Sequence, residues 1–228
     1  MAGNTVYGDY NQILSLQETI RNLKTEIEKL RVQVFTDELT GTFNYRYLMS
    51  RLEEERSRSV RYSRDLSLIM LDLDGLKQIN DTYGHHMGNL VLIETTKCIK
   101  EALRGYDIVA RFGGDEFAVM LPDTSLENAS KVAERILENI QGLSHMDSVK
   151  RTSFKASISC GVAFYDDCTK SSTDLIVHAD LLLYEAKRAG KNCIEYGNVS
   201  DKDFLLRKPH FFVRQRAGKL SAGYQRCS

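Results

Sequence analysis

Two short strand-like runs, Asp107–Phe112 and Glu116–Leu121, are separated by little more than Gly113 and Gly114. A glycine pair between two such runs is a hairpin signal, and a hairpin commits its strands to antiparallel pairing. A third run, Leu66–Asp72, is apolar almost throughout and closes on a carboxylate, which predicts a buried strand with a charged end. Around these runs the pattern predicts helices over Phe43–Ser63, Gly88–Leu103, Ser125–Ile140 and Thr173–Ala189, and strands over Phe154–Phe164 and Asn192–Tyr196. Leu90, Leu92, Ile93 and Ile99 supply apolar positions of the second helix, and Gly190 is placed to cap the fourth. The order predicts an α+β fold, an α/β sandwich with an antiparallel sheet and helices packed mainly on one side.

Ahead of this unit, Ile13, Leu16, Ile20, Leu23, Ile27, Leu30 and Val34 alternate spacings of three and four. The seam is narrow and the other faces are polar. That favours a parallel two-stranded coiled coil over an amphipathic helix packed on its own domain. The expected organisation is a disordered lead at 1–10, a coiled-coil dimerisation helix at 11–36, a globular domain at 37–197 and a basic tail at 198–228. Residues 201–228 hold seven Lys/Arg and two Asp/Glu, while the whole chain has a formal net charge of zero. No global field therefore argues for nucleic acid, which is not expected as a partner. The tail, where Phe204, Phe211, Phe212 and Tyr224 alternate with Arg and Lys, is read as a flexible or folded-back extension, with a nucleic-acid or acidic-lipid contact as the alternative. The five cysteines form no metal-binding spacing, no leader pattern opens the chain, and no apolar run is long enough to cross a bilayer. The expectation is a soluble cytoplasmic protein with no membrane segment.

The chemistry gathers at acidic positions. Asp72 and Asp74 close the buried strand in Leu-Asp-Leu-Asp-Gly, and Asp115 and Glu116 follow the glycine pair. Carboxylates at a strand end beside others in a tight turn can hold a hard divalent cation, which takes oxygen ligands and shares them with substrate phosphates. Gly113 and Gly114 remove side chains where a phosphate or sugar would approach the backbone.

The run Arg111-Phe112-Gly113-Gly114-Asp115-Glu116-Phe117 carries the signature of the GGDEF diguanylate cyclases, and the chain resembles that family over residues 37–196. Asp37-Glu38-Leu39-Thr40-Gly41 with Asn44 and Arg46 is similar to the family's opening motif. Leu71-Asp72-Leu73-Asp74 with Lys77, Asn80, Asp81, Tyr83-Gly84-His85 and Gly88 resembles its metal and nucleotide segment. Ser159-Cys160-Gly161-Val162-Ala163, Ala179-Asp180, Tyr184, Ala186-Lys187 and Gly190-Lys191-Asn192 resemble its closing motifs.

The resemblance implies a fold related to nucleotidyl cyclases and polymerase palm domains, and the condensation of two GTP into cyclic di-GMP and two pyrophosphates across a homodimer. It implies two Mg²⁺ or Mn²⁺ ions per site on Asp72 and Asp115, assisted by the Leu73 carbonyl, with Glu116 beside the attacking ribose 3′-hydroxyl as ligand or base. It places Asn80 and Asn89 at the guanine, Lys187 and Lys191 at the β- and γ-phosphates, and backbone N–H groups around Gly75 and Leu76 beside them. Arg104 and Asp107 match the inhibitory product site, with Arg135 as a secondary arginine. Position 89 is usually Asp, so Asn89 opens the alternative of a hybrid cyclase that also makes cyclic GMP-AMP. An amide offers a donor as well as an acceptor, where guanine's edge calls for acceptors. Lys191, where Arg is common, keeps the charge but loses the fork. A third alternative is a non-catalytic module that binds GTP or cyclic di-GMP.

Overall fold

A strand with no polar face must be covered on both sides, and all eight residues of Leu66–Leu73 are buried. The computed structural model describes residues 3–147, 152–165 and 171–198. In chain order the elements are α1 (Gly3–Phe35), β1 (Phe43–Asn44), α2 (Tyr45–Tyr62), β2 (Leu66–Leu73), α3 (Leu76–Tyr83), α4 (His85–Glu101), β3 (Ile108–Arg111) and β4 (Glu116–Pro122). They continue with α5 (Leu126–Gln141), β5 (His145–Asp147), β6 (Thr152–Phe154), β7 (Ile158–Phe164), α6 (Ser172–Arg188) and β8 (Ile194–Asn198).

Six strands form one sheet in the order β1-β3-β4-β2-β7-β8, and β5 and β6 make a separate two-stranded ribbon. The four central strands are antiparallel as the hairpin demands. The two edge strands join in parallel, β1 to β3 and β8 to β7. A parallel neighbour needs a crossover, and α6 supplies it between β7 and β8. The sheet is thus mixed rather than antiparallel throughout.

Helices cover both faces, which corrects the expectation of one-sided packing. Ile69, Leu71 and Leu73 of β2 share a core cluster with residues of α3, α4 and α5. Leu66, Leu68 and Met70 share another with Leu48 and Leu52 of α2 and Leu175 and Leu182 of α6. The cause is the composition of β2, which leaves neither face for solvent.

Several boundaries move. Phe43 and Asn44 pair with β3 instead of opening a helix, and the Asn44 side chain caps α2 by accepting the Tyr47 N–H. The helix expected from Gly88 starts at His85, and the strand expected over Phe154–Phe164 is broken into β6 and β7. The expected disordered lead is helical from Gly3. No proline interrupts it, and extending a formed helix costs far less than nucleating one. The basic tail beyond Asn198 lies outside the described residues.

Among the described residues nothing covers the seam of α1 from Leu16 to Val34. Leu16, Ile20, Leu23, Ile27, Leu30 and Val34 are 48% to 57% exposed. The helix meets the domain at its last turn. There the Asn44 side-chain amide donates to the Val34 carbonyl at 2.7 Å, and the Phe35 ring meets the edge of Tyr47, itself stacked on Phe43.

Gly161 explains how α6 lies so close on β7. A Cβ there would stand 2.2 Å from both the Ala179 carbonyl oxygen and the Leu183 nitrogen, backbone atoms that cannot rotate away. Gly161→Ala should therefore cost about 3 kcal/mol or more, read as a lowered urea midpoint. An unchanged midpoint would contradict this packing.

Candidate active site

Strand register brings the acidic residues together. Asp72 at the end of β2 pairs directly with Glu116 at the start of β4, and the Leu73 N–H donates to the Asp115 carbonyl at 3.0 Å. Facing positions on adjacent strands are close neighbours, so residues more than forty positions apart form one acidic end of the sheet. The β3–β4 turn is closed by the N–H groups of Phe112 and Gly113, which both donate to the Glu116 carbonyl. The Glu116 carboxylate lies where a side chain on Gly113 would sit, 2.4 Å from the position of its missing Cβ.

Asp72 is only 6% exposed, and this burial raises its pKa to about 6. The nearby charges of Asp115 and Glu116 push in the same direction, while Lys187 opposes them. The Lys187 ammonium, from the last turn of α6, stands 2.6 Å from the Asp72 carboxylate.

The glycine turn is braced from the far side. The Arg111 guanidinium donates to the Gly114 carbonyl at 2.7 Å and to the Asp37 carboxylate at 3.1 and 3.2 Å. Burial alone would raise the pKa of Asp37, but the donors of Thr40 and the charge of Arg111 outweigh it and hold the carboxyl below its ordinary value.

The other expected residues lie on α3, on α4 and in the turn after α6. Gly75, with φ +73°, caps the N-terminus of α3 directly after β2, with Leu76 as its first residue. First-turn N–H groups have no intrahelical acceptor and suit an anion. Asn80 packs on α4 at Gly88, where an added Cβ would meet its Oδ1 at 1.9 Å, and exposed Asn89 follows. Lys191 is exposed in the turn after α6. Asp74 departs from its neighbour: its carboxylate accepts from the hydroxyls of Ser157 and Ser159 and from the Asn192 N–H.

Arg104, Asp107 and Arg135 form a separate group beyond the C-terminal end of α4. The Arg104 N–H donates to Asp107 at 2.8 Å, the Arg104 guanidinium meets the Tyr106 hydroxyl, and Arg135 of α5 donates to the Ala102 carbonyl. Burial raises the Asp107 pKa, opposed by Arg104 and Arg135.

Among the described residues, no three His, Cys, Asp or Glu side chains form a ready-made metal cage. The donor set nevertheless fits a hard cation. It is all oxygen, it is crowded with negative charge, and Asp72 already holds a cationic ammonium. Magnesium is commonly bound by one or two carboxylates, completing its shell with water and substrate phosphate. The pairing of Asp37 with Arg111 leaves no local signal in the sequence, because the two stand 74 positions apart.

The sequence model of the family described as "Diguanylate cyclase, GGDEF domain" matches residues 34–193. The chain belongs to this family. It is 35% identical over 178 residues to the probable diguanylate cyclase DgcC of Escherichia coli K12, covering 78% of this chain and 47% of that protein. It is 32% identical over 201 residues to the response regulator PleD of Caulobacter vibrioides, covering 81% and 44%. The chain thus spans about half the length of these relatives. Among solved structures, diguanylate cyclase SiaD of Pseudomonas aeruginosa, in complex with its activator SiaC, matches with a TM-score of 0.69 at 31% identity, over 85% of this chain and 76% of that one. The coiled coil and GGDEF domain of DgcB from Caulobacter crescentus, in complex with c-di-GMP, shares the fold with a TM-score of 0.76 at 23% identity, over 82% and 98%.

The Asp72 shift has a testable sign. Its pKa is higher folded than the ordinary 3.8, so burying the charge costs stability as pH rises from about 4 through about 6. Asp72→Asn lacks that cost. Without divalent cations, the stability of Asp72→Asn relative to the parent should improve by about 2 kcal/mol between about pH 4.5 and about pH 7. Urea denaturation at the two values checks it, and a pH-independent difference would count against the buried charge.

Proposed function

We propose that this chain is a diguanylate cyclase that condenses two GTP molecules into cyclic di-GMP. The observation that carries the reading is the convergence of Asp72, Asp115, Glu116 and Lys187 at one end of the sheet in a member of the GGDEF family. Each 3′-hydroxyl oxygen attacks the α-phosphorus of the other GTP, two P–O bonds form, two P–O bonds to pyrophosphate break, and the hydroxyl protons leave.

The reaction needs positioning and charge neutralisation more than covalent chemistry from the protein. Two Mg²⁺ or Mn²⁺ ions, on Asp72, Asp115, Glu116 and the Leu73 carbonyl, would supply activation of the attacking oxygen and neutralisation of the leaving pyrophosphate. Lys187 neutralises Asp72 in the free protein and is placed to exchange that partner for phosphate. Lys191 and the N–H groups at Gly75 and Leu76 add grip on the triphosphate, and Asn80 and Asn89 face the base. Glu116 lies beside the 3′-hydroxyl.

One domain holds one GTP, so two must face each other to close both bonds. The uncovered seam of α1 supports a parallel coiled coil that raises the effective concentration of the second domain. Arg104, Asp107 and Arg135 form the site for product inhibition, where guanidinium groups can stack on guanine and grip phosphate.

Mass spectrometry of products from Mg²⁺ with equal GTP and ATP tests the activity. The expected product is cyclic di-GMP alone, and Glu116→Gln should lower its rate at least about a hundredfold. Substantial cyclic GMP-AMP would assign a relaxed base choice to Asn89. Nucleotide binding by a demonstrated dimer without any cyclic product would make the chain a signalling module.

Two further outcomes concern assembly and feedback. Leu23→Asp with Leu30→Asp should abolish both the dimer, seen by sedimentation, and turnover at low concentration. Full activity of a monomeric double variant would refute the coiled-coil role. Arg104→Ala should relieve inhibition by added cyclic di-GMP, and unchanged inhibition would remove that site from the reading.

A further inference from the structure

Asp72 and Asp74 stand two residues apart, yet they have different partners. Asp72 faces Lys187 and the acidic end of the sheet. Asp74 has both oxygens occupied by other donors. Its Oδ1 accepts from Ser159 Oγ at 2.7 Å, and its Oδ2 accepts from Ser157 Oγ at 2.9 Å and from the Asn192 N–H at 3.1 Å. Its own N–H donates to the Ser157 carbonyl at 2.8 Å.

The turn on the far end of the Asn192 bond is strained. Gly190, Lys191 and Asn192 have φ of +121°, +66° and +52° in succession. Two adjacent non-glycine residues in the left-handed region cost about 1 kcal/mol or more each and persist only where neighbours over-determine them. Here the Lys191 N–H donates to the Ala186 carbonyl, and the Asn192 side chain accepts from Gln141. Among the described residues, the hydrogen bond that ties this turn to the end of β2 is the one to Asp74.

We propose that Asp74 is a positioning residue, not a metal ligand: it fixes the 190–192 turn, and with it Lys191, in register with the carboxylate end of β2. This rests on the reading of Lys191 as a triphosphate contact. A lysine head on a flexible stem is directed chiefly by where its Cα is held. Losing the anchor at Asn192 lets the turn leave its left-handed conformation and carries the ammonium away from the β- and γ-phosphates. The base, the ribose and the α-phosphate lose nothing directly.

The test measures affinities for GTP, GMP and Mn²⁺ in the full chain, with Asp74→Ala, Asp74→Asn, Lys191→Ala and the Asp74→Ala/Lys191→Ala pair. GTP affinity should fall about tenfold in Asp74→Ala and less in Asp74→Asn, which keeps one acceptor. GMP affinity and nucleotide-free Mn²⁺ affinity should stay at parental values. The Asp74→Ala change should add little once Lys191 is already alanine.

Loss of Mn²⁺ binding in both Asp74 variants would make the residue a ligand and overturn the inference. Equal losses for GTP and GMP, or full additivity with Lys191→Ala, would overturn it as well. Should Asp74→Ala fail to fold, Asp74→Asn carries the same comparison. Failure of the cyclase reading is separate: a parent that binds GTP yet forms no cyclic dinucleotide refutes that reading while these affinities still decide the role of Asp74.

Discussion

The buried charge of Asp72 is the constraint around which the site is arranged. A carboxylate brought to the end of a fully buried strand loses water that it must replace with a cation or a proton. Here the nearest compensation is the Lys187 ammonium, and two further carboxylates nearby increase the demand for positive charge. Lys187 reaches Asp72 from the end of α6, which lies tight on β7 because Gly161 has no side chain. The charge pair at the site and the packing of the second core cluster are thus two ends of one helix.

Local patterns made much of this legible. The Gly113-Gly114 turn and the apolar run ending at Asp72 are short-range signals, and both features lie where their patterns put them. The α3 helix was illegible because only Leu76 and Ile79 of its eight residues are buried, too few to set a period. The parallel edges and the two-sided helix cover depend on how helices return across the sheet, which alternation within a strand does not encode.

The site residues divide on the same line. Asp72, Asp115 and Glu116 could be singled out as acidic residues at turns and strand ends. That Asp72 and Glu116 face each other is a matter of register, fixed by the pairing of β2 with β4. Asp74 looked like a twin of Asp72 because spacing is blind to partners. Its serines and the Asn192 N–H lie 83 to 118 positions away and converge only when β7 and the turn before β8 are in place.

The junction between α1 and the domain has a mechanical consequence. A flexible linker would dissipate any bending of the helix before it reached the sheet. Here the Val34 carbonyl is gripped by Asn44, and two residues past the end of α1 Asp37 shares the Arg111 guanidinium with the Gly114 carbonyl. The path from helix to glycine turn is a few polar links. A torque applied along α1 would therefore load that turn, the loop that carries Asp115 and Glu116.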